Sequence, residues 1–185
     1  MSKASKTAIG GMATALSVVV LLLSSIDVLS ITAAATAGII TLFCAIELSK
    51  GWACGVYAAS AIISFLVLPN KECSLLYIAF FGYYPILKGL IESKIKNRVL
   101  EILLKFLIYN ASIIAAEYIL FRVMNVPLTE FLDVKDGSWL AQHIFPVLFA
   151  ALNLVFIPLD YVYTVAATMY VKRYRKFFRK TFKFK

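Results

Sequence analysis

Glu101 and Lys105 stand four residues apart, and Asn110 and Glu117 seven apart further along the same apolar run. The first spacing puts a carboxylate and an ammonium on one helix face, where an ion pair is a sufficient account. The second aligns an amide and a carboxylate along one face, able to meet a polar ligand or another helix. Asn153 and Asp160 repeat the seven-residue interval near the end of the chain, with Pro158 between them. Lys105 can reach a depth similar to that of Asp160, so a Lys105–Asp160 pair is the plain structural expectation. His143 is the only histidine in the sequence, close to Trp139. By itself it makes no metal site and no catalytic dyad.

A second constellation is aromatic. In Tyr77-Ile78-Ala79-Phe80-Phe81-Gly82-Tyr83-Tyr84-Pro85-Ile86-Leu87-Lys88, the side chains of Tyr77, Phe80 and Tyr84 fall on one helical face. Gly82 leaves a notch, and Pro85 removes a backbone donor and invites a kink. Such a segment can wall a pocket with rings and phenolic hydroxyls, or it can simply fill a core. Tyr77, Tyr84, Asn110, Glu117 and His143 are therefore the candidates to contact a small-molecule substrate. No H-E-x-x-H, G-x-S-x-G or phosphate-cradling glycine loop occurs, so neither enzymatic activity nor a cofactor is expected. Cys44, Cys54 and Cys73 are odd in number and lack C-x-x-C spacing, which argues against a disulfide or metal framework.

The elements that position these groups are set by composition. Hydrophobic residues make up 62% of the 185, only 16% are charged, and the mean hydropathy is +0.86. A soluble domain of this length cannot hide that much apolar surface, whereas a bilayer solvates it. A spanning helix needs roughly 20 apolar residues at about 1.5 Å rise each. Six stretches qualify, near 8–28, 31–49, 52–69, 74–91, 99–121 and 139–170. The expected fold is an all-α integral membrane bundle over residues 1–171, with a basic cytoplasmic tail at 172–185. The sixth stretch is too long for one straight span, and Pro146 and Pro158 predict a broken or kinked helix after an interfacial start at Ser138–His143. The connection from Met124 to Gly137 carries Leu128, Phe131 and Leu132 at helical spacing, which suits a short surface helix or a lid.

Charge placement gives direction. With the N-terminus inside, eight Lys or Arg residues between Lys3 and Lys105 and the eight of the tail lie on the inner side, against Lys71, Arg122 and Lys135 outside. That bias predicts both termini in the cytoplasm and an even number of spans in the plasma membrane. Lys3 and Lys6 before an apolar run, with Ala33-Ala34-Ala35 further on, imitate a secretory signal. The run from Ala8 to Leu23 is long for one and more apolar sequence follows, so an uncleaved first helix is expected. Tyr174, Phe177, Phe178 and Phe182 share a face of the tail. Lys172, Arg173, Arg175, Lys176, Arg179 and Lys180 are expected to contact anionic lipid rather than nucleic acid.

The first helix has small residues four apart at Ala4/Ala8 and Gly11/Ala15, a face that lets another helix approach closely. That face could serve this chain's own helices or a partner. Gly11-Met12-Ala13-Thr14-Ala15-Leu16-Ser17 and Phe81-Gly82-Tyr83-Tyr84-Pro85-Ile86-Leu87-Lys88, in a six-helix layout of this length, resemble the S components of energy-coupling factor transporters, in particular an S-component-like branch. These two stretches carry the resemblance, while the layout covers nearly the whole chain. It implies a substrate-binding subunit for a micronutrient, docking on a membrane coupling subunit driven by cytoplasmic ATPases. It also implies that Gly11 and Ala15, with Ala8 more weakly, form the docking face. No vitamin-specific ligand set can be matched. The small membrane proteins of the bacterial cell-shape machinery share a similar layout, and imply a scaffold that transports nothing.

Overall fold

The computed structural model describes residues 3–26, 29–119 and 143–181, apart from the side chains of Glu117, Ile144, Phe145, Leu148, Lys180 and Thr181. Every regular element among them is helical. In chain order these are α1 (Lys3–Leu22, tightening into a 3-10 turn at Leu23–Ser25), α2 (Ser30–Glu47), α3 (Lys50–Val67), α4 (Lys71–Leu76), α5 (Tyr84–Lys94), α6 (Arg98–Tyr118), α7 (Ile144–Met169) and α8 (Arg175–Thr181). Six stretches among the described residues are long and apolar enough to cross a membrane: Lys3–Ser25, Ser30–Glu47, Lys50–Val67, Lys71–Lys94, Arg98–Ala116 and Phe149–Arg179. The segment with Leu128, Phe131 and Leu132, together with Trp139, lies outside the described residues.

Two helices start where an asparagine supplies the missing acceptor. Asn70 Oδ1 accepts from the Cys73 amide at 3.1 Å, and Asn97 Oδ1 from the Val99 amide at 3.0 Å. Free first-turn amides are otherwise unsatisfied, so such caps fix where a helix begins. The Asn70 amide group also donates to the Ser24 carbonyl and Ser30 Oγ, tying the start of α4 to the ends of α1 and α2.

The bundle is organised around α2, which touches α1, α3, α4, α5 and α7. Its buried face is made of Ala33, Ala34, Ala37, Gly38 and Thr41. Small side chains let neighbouring backbones come close, which is how membrane helices gain dispersion contact without a hydrophobic driving force. Gly38 is the tightest point. A Cβ there would collide with the Tyr163 hydroxyl and would sit 2.5 Å from the Phe81 carbonyl oxygen.

The fourth span is the broken one. Residues Tyr77–Phe81 take the wider π register, closed by a hydrogen bond from the Gly82 amide to the Tyr77 carbonyl, and α5 restarts at Tyr84 with Pro85 in its first turn. Carbonyls around such a break need partners in an apolar surrounding. Thr41 Oγ1 donates to the Gly82 carbonyl at 2.9 Å, and the Tyr57 hydroxyl to the Ile78 carbonyl at 2.7 Å. The notch at Gly82 is filled by the Tyr57 ring, 2.5 Å from where a Cβ would stand.

The sixth span departs from the expectation of a broken helix, since α7 runs without interruption through Pro158. Pro146 lies in the first turn, where a missing N–H costs no intrahelical bond. The helical register changes only at Tyr170–Tyr174, again a π turn, before α8.

Gly38→Ala is expected to lower stability by about 1–3 kcal/mol, the usual range for overpacking. Gly11→Ala, with nothing within 4 Å of the added methyl, is expected to leave stability unchanged or slightly raised. Thermal unfolding of the detergent-solubilised protein checks both.

Candidate functional site

The residues with the most unusual setting are five charges where α5, α6 and α7 meet. Tyr84, Lys88 and Glu92 lie four apart along one face of α5, and Glu101 and Lys105 four apart on α6. Asp160 comes from α7. Lys88 and Lys105 are 3% and 4% exposed and Glu101 is 6% exposed. Lysines are almost never buried to that degree without partners.

The partners are present. Lys88 Nζ donates to Asp160 Oδ1, to the Asp160 carbonyl at 3.1 Å, and lies 3.0 Å from Glu92 Oε1. Lys105 Nζ is 2.7 Å from both Glu92 Oε1 and Glu101 Oε1, and 3.5 Å from Asp160 Oδ2. Each ammonium thus makes two hydrogen bonds and has a further carboxylate oxygen within ion-pair distance. Arg98 lies 3.4 Å from Glu101 Oε2 and is itself mostly exposed. With it, three cations face three carboxylates and the cluster is electrically balanced. The Tyr84 hydroxyl adds a further donor to Asp160 Oδ1. The expected Lys105–Asp160 and Glu101–Lys105 contacts are both in the cluster, but Lys88 is the nearer partner of Asp160. Lys88 carried no such role in the sequence reading. Its four-residue spacing to both Tyr84 and Glu92 was the available signal.

Chemically, such a cluster is a saturated joint. Both ammonium groups are held between carboxylates of neighbouring helices. Its effect is to fix the mutual rotation of three helices.

Above it lies an aromatic core. Tyr77, Phe80, Phe81, Tyr84, Tyr109, Phe156 and Tyr163 are buried in one cluster. Tyr109 and Phe156 stack with ring centres 4.3 Å apart, and Phe80 and Tyr84 lie at 4.4 Å. Tyr77 and Tyr84 are thus brought into the same core, with their hydroxyls directed to different partners. Tyr77 Oη meets Ser60 Oγ at 2.7 Å, while Tyr84 reaches Asp160. Asn110 is placed beside Asn153, whose Nδ2 donates to Asn110 Oδ1 at 2.8 Å, and its own Nδ2 donates to the Phe106 carbonyl. His143 sits exposed at the N-cap of α7. The Glu117 side chain lies outside the described residues. Among those residues, no group of three or more His, Cys, Asp or Glu side chains could hold a metal ion.

On α1, Gly10, Ala13, Thr14 and Ser17 face the bundle, whereas Ala8, Gly11 and Ala15 are exposed. The small residues named for docking therefore lie on a face that this chain's described helices leave open. In the tail, Lys172, Arg173 and Lys176 are exposed. Arg175 Nε and Arg179 Nε instead reach Glu47 at 2.9 and 3.1 Å, and the Glu47 side chain is fully buried between them. Glu47 is the last residue of α2. Lys180 falls where side chains are not described.

Asp160→Ala leaves the buried Lys88 ammonium short of a counter-charge, and removal of one partner of such a pair costs about 3–5 kcal/mol. The double substitution Lys88→Met with Asp160→Leu removes both charges and is expected to recover much of that loss. Unfolding midpoints of the two variants, measured side by side, test the joint.

No protein-family model, curated protein or solved structure matches this chain.

Proposed function

We propose that this chain is a multi-pass subunit of the plasma membrane, with both termini cytoplasmic, that works by docking on a partner membrane protein through the outward face of α1. The observation that carries this reading is the open run Ala8, Gly11, Ala15: a Cβ at Gly11 would meet nothing within 4 Å. Glycine in mid-helix costs about 1 kcal/mol relative to alanine, so an open glycine with no internal contact to justify it favours a close external neighbour. Large apolar side chains around the same face, among them Met12, Leu16 and Val19, are more than half exposed. In water that would be a liability; against lipid or a partner helix it is not.

The first form of this function is the substrate-binding S component of a micronutrient transporter. Its partner is a membrane coupling subunit with cytoplasmic ATPases, and its ligand is a small molecule held towards the outer side near Tyr77, Tyr84, Asn110, Glu117 and His143. A second form, a non-transporting scaffold of the cell-shape or cell-wall machinery, is favoured by a separate observation. The polar atoms of Tyr77, Tyr84 and Asn110 are engaged by Ser60, Asp160 and Asn153, and aromatic rings fill the core around the two tyrosines.

Native purification followed by mass spectrometry of retained subunits and small molecules separates the two forms. A coupling subunit with a bound metabolite is the transport outcome; a cell-shape partner with neither is the scaffold outcome and sinks transport. In either case Gly11→Leu is expected to abolish partner co-purification while leaving membrane insertion and thermal stability intact. Unchanged co-purification rejects the docking role.

A further inference from the structure

Beside the exposed face of α1 lies a groove of about 330 Å³, half-enclosed by α1, α2 and α8. Its walls are Ile9, Met12, Ala13 and Leu16 of α1, Ile40 and Phe43 of α2, and Phe178 of α8. All are apolar. Phe178 is brought there by the pairing of Arg175 and Arg179 with Glu47, and its ring lies 5.4 Å from that of Phe43 and 5.9 Å from that of Tyr170. The third wall is therefore a built one, held by two ion pairs, and not a chance gap between helices.

The charge at one end of the groove is equally specific. Lys6, Ile9, Ala13 and Leu16 follow one another three or four residues apart, so Lys6 continues the groove face one turn towards the N-terminus. Lys6 is half-buried, and among the described residues no carboxylate lies within ion-pair distance of it. The exposed cations Lys172, Arg173 and Lys176 belong to the adjoining turn and helix. An apolar trough ending at Lys6, with exposed cations beside it, matches an amphiphile with an apolar chain and an anionic head. A cleft open to hydrocarbon also cannot stay empty without forfeiting dispersion contacts along its walls.

We infer that the groove between α1, α2 and α8 is a binding site for one anionic phospholipid of the inner leaflet, its acyl chain between Met12 and Phe178 and its headgroup at Lys6. The inference rests on the cytoplasmic placement of both termini proposed above, but not on any partner. Met12 and Leu16 line the groove and also flank the docking face, whereas Gly11 does not line it, so Gly11→Leu reads docking and Lys6→Gln reads lipid binding.

The test uses the full chain in nanodiscs of equal parts phosphatidylglycerol and phosphatidylcholine, released into native mass spectrometry to count retained lipids. The wild type is expected to keep one phosphatidylglycerol in preference to phosphatidylcholine. Met12→Trp, at a position 60% exposed and so outside the core, fills the trough and is expected to remove that lipid. Lys6→Gln is expected to reduce the preference about fivefold, the equivalent of one basic residue at an anionic surface. Glu47→Gln releases the Phe178 wall and is expected to weaken retention although no residue lining the groove is substituted. Equal retention of both lipids, or a lipid count unmoved by Met12→Trp, overturns the site. A Met12→Trp protein that keeps its lipid but loses a partner subunit also overturns it, and assigns the groove to protein contact.

Discussion

Two lysines buried within a few turns of the helix ends set the terms for one half of this molecule. An ammonium in an apolar surrounding is tolerated only if it is paired with opposite charge and hydrogen-bonded, because the cost of leaving it uncompensated exceeds any gain from packing. Lys88 and Lys105 meet that condition only when Glu92, Glu101 and Asp160 converge on them from α5, α6 and α7. Rotating any of the three helices by one residue would strand a charge. The aromatic core is therefore not free to choose its own packing: Tyr84 reaches Asp160, and Phe80, Tyr109 and Phe156 close around it. Replacement of such a joint by apolar residues can be energetically neutral, so what it supplies is a defined arrangement more than stability.

The other half is governed by size rather than charge. Along α2, alanines, a glycine and a threonine let α1, α3 and the broken fourth span approach to backbone contact. The two halves meet where Thr41 and Gly38 receive the Gly82 and Phe81 carbonyls, with Tyr163 of α7 pressed against the same spot. The π register at Tyr77–Phe81 is the local adjustment that allows this, and its exposed carbonyls are satisfied from α2 and α3.

How much of this could be read from residues alone follows the range of each interaction. The apolar stretches that define the six long helices are local in sequence, and hydropathy over about 20 residues is enough to see them. The Glu101–Lys105 pair is equally local. Asp160 could be matched with Lys105 by depth, yet Lys88 was passed over because a lysine close to a helix end reads as one that reaches water. The pairing of Glu47 lies equally beyond any local pattern, its partners being 128 and 132 residues away. Pro85 marked the fourth segment as irregular, but the π turn beside it depends on Tyr57 and Thr41, which no pattern within that segment contains. Pro158 pointed to a break in α7 that is not there, whereas the change of register further on at Tyr170–Tyr174 has no proline to announce it.

The order in which the charged residues are made gives their spacing another meaning. Lys88 and Lys105 come long before Asp160, which follows Lys88 by 72 residues. Each lysine, however, has a carboxylate four positions away on its own helix, Glu92 for Lys88 and Glu101 for Lys105. Each of these two lysines therefore has a neutralising partner on its own helix before any distant contact forms. Glu92 also reaches Lys105, so α5 and α6 already share a network, to which Asp160 adds a third carboxylate from α7. The pairs within a helix act over four residues and the contact from α7 over 72, so a single set of side chains serves both the single helix and the finished fold.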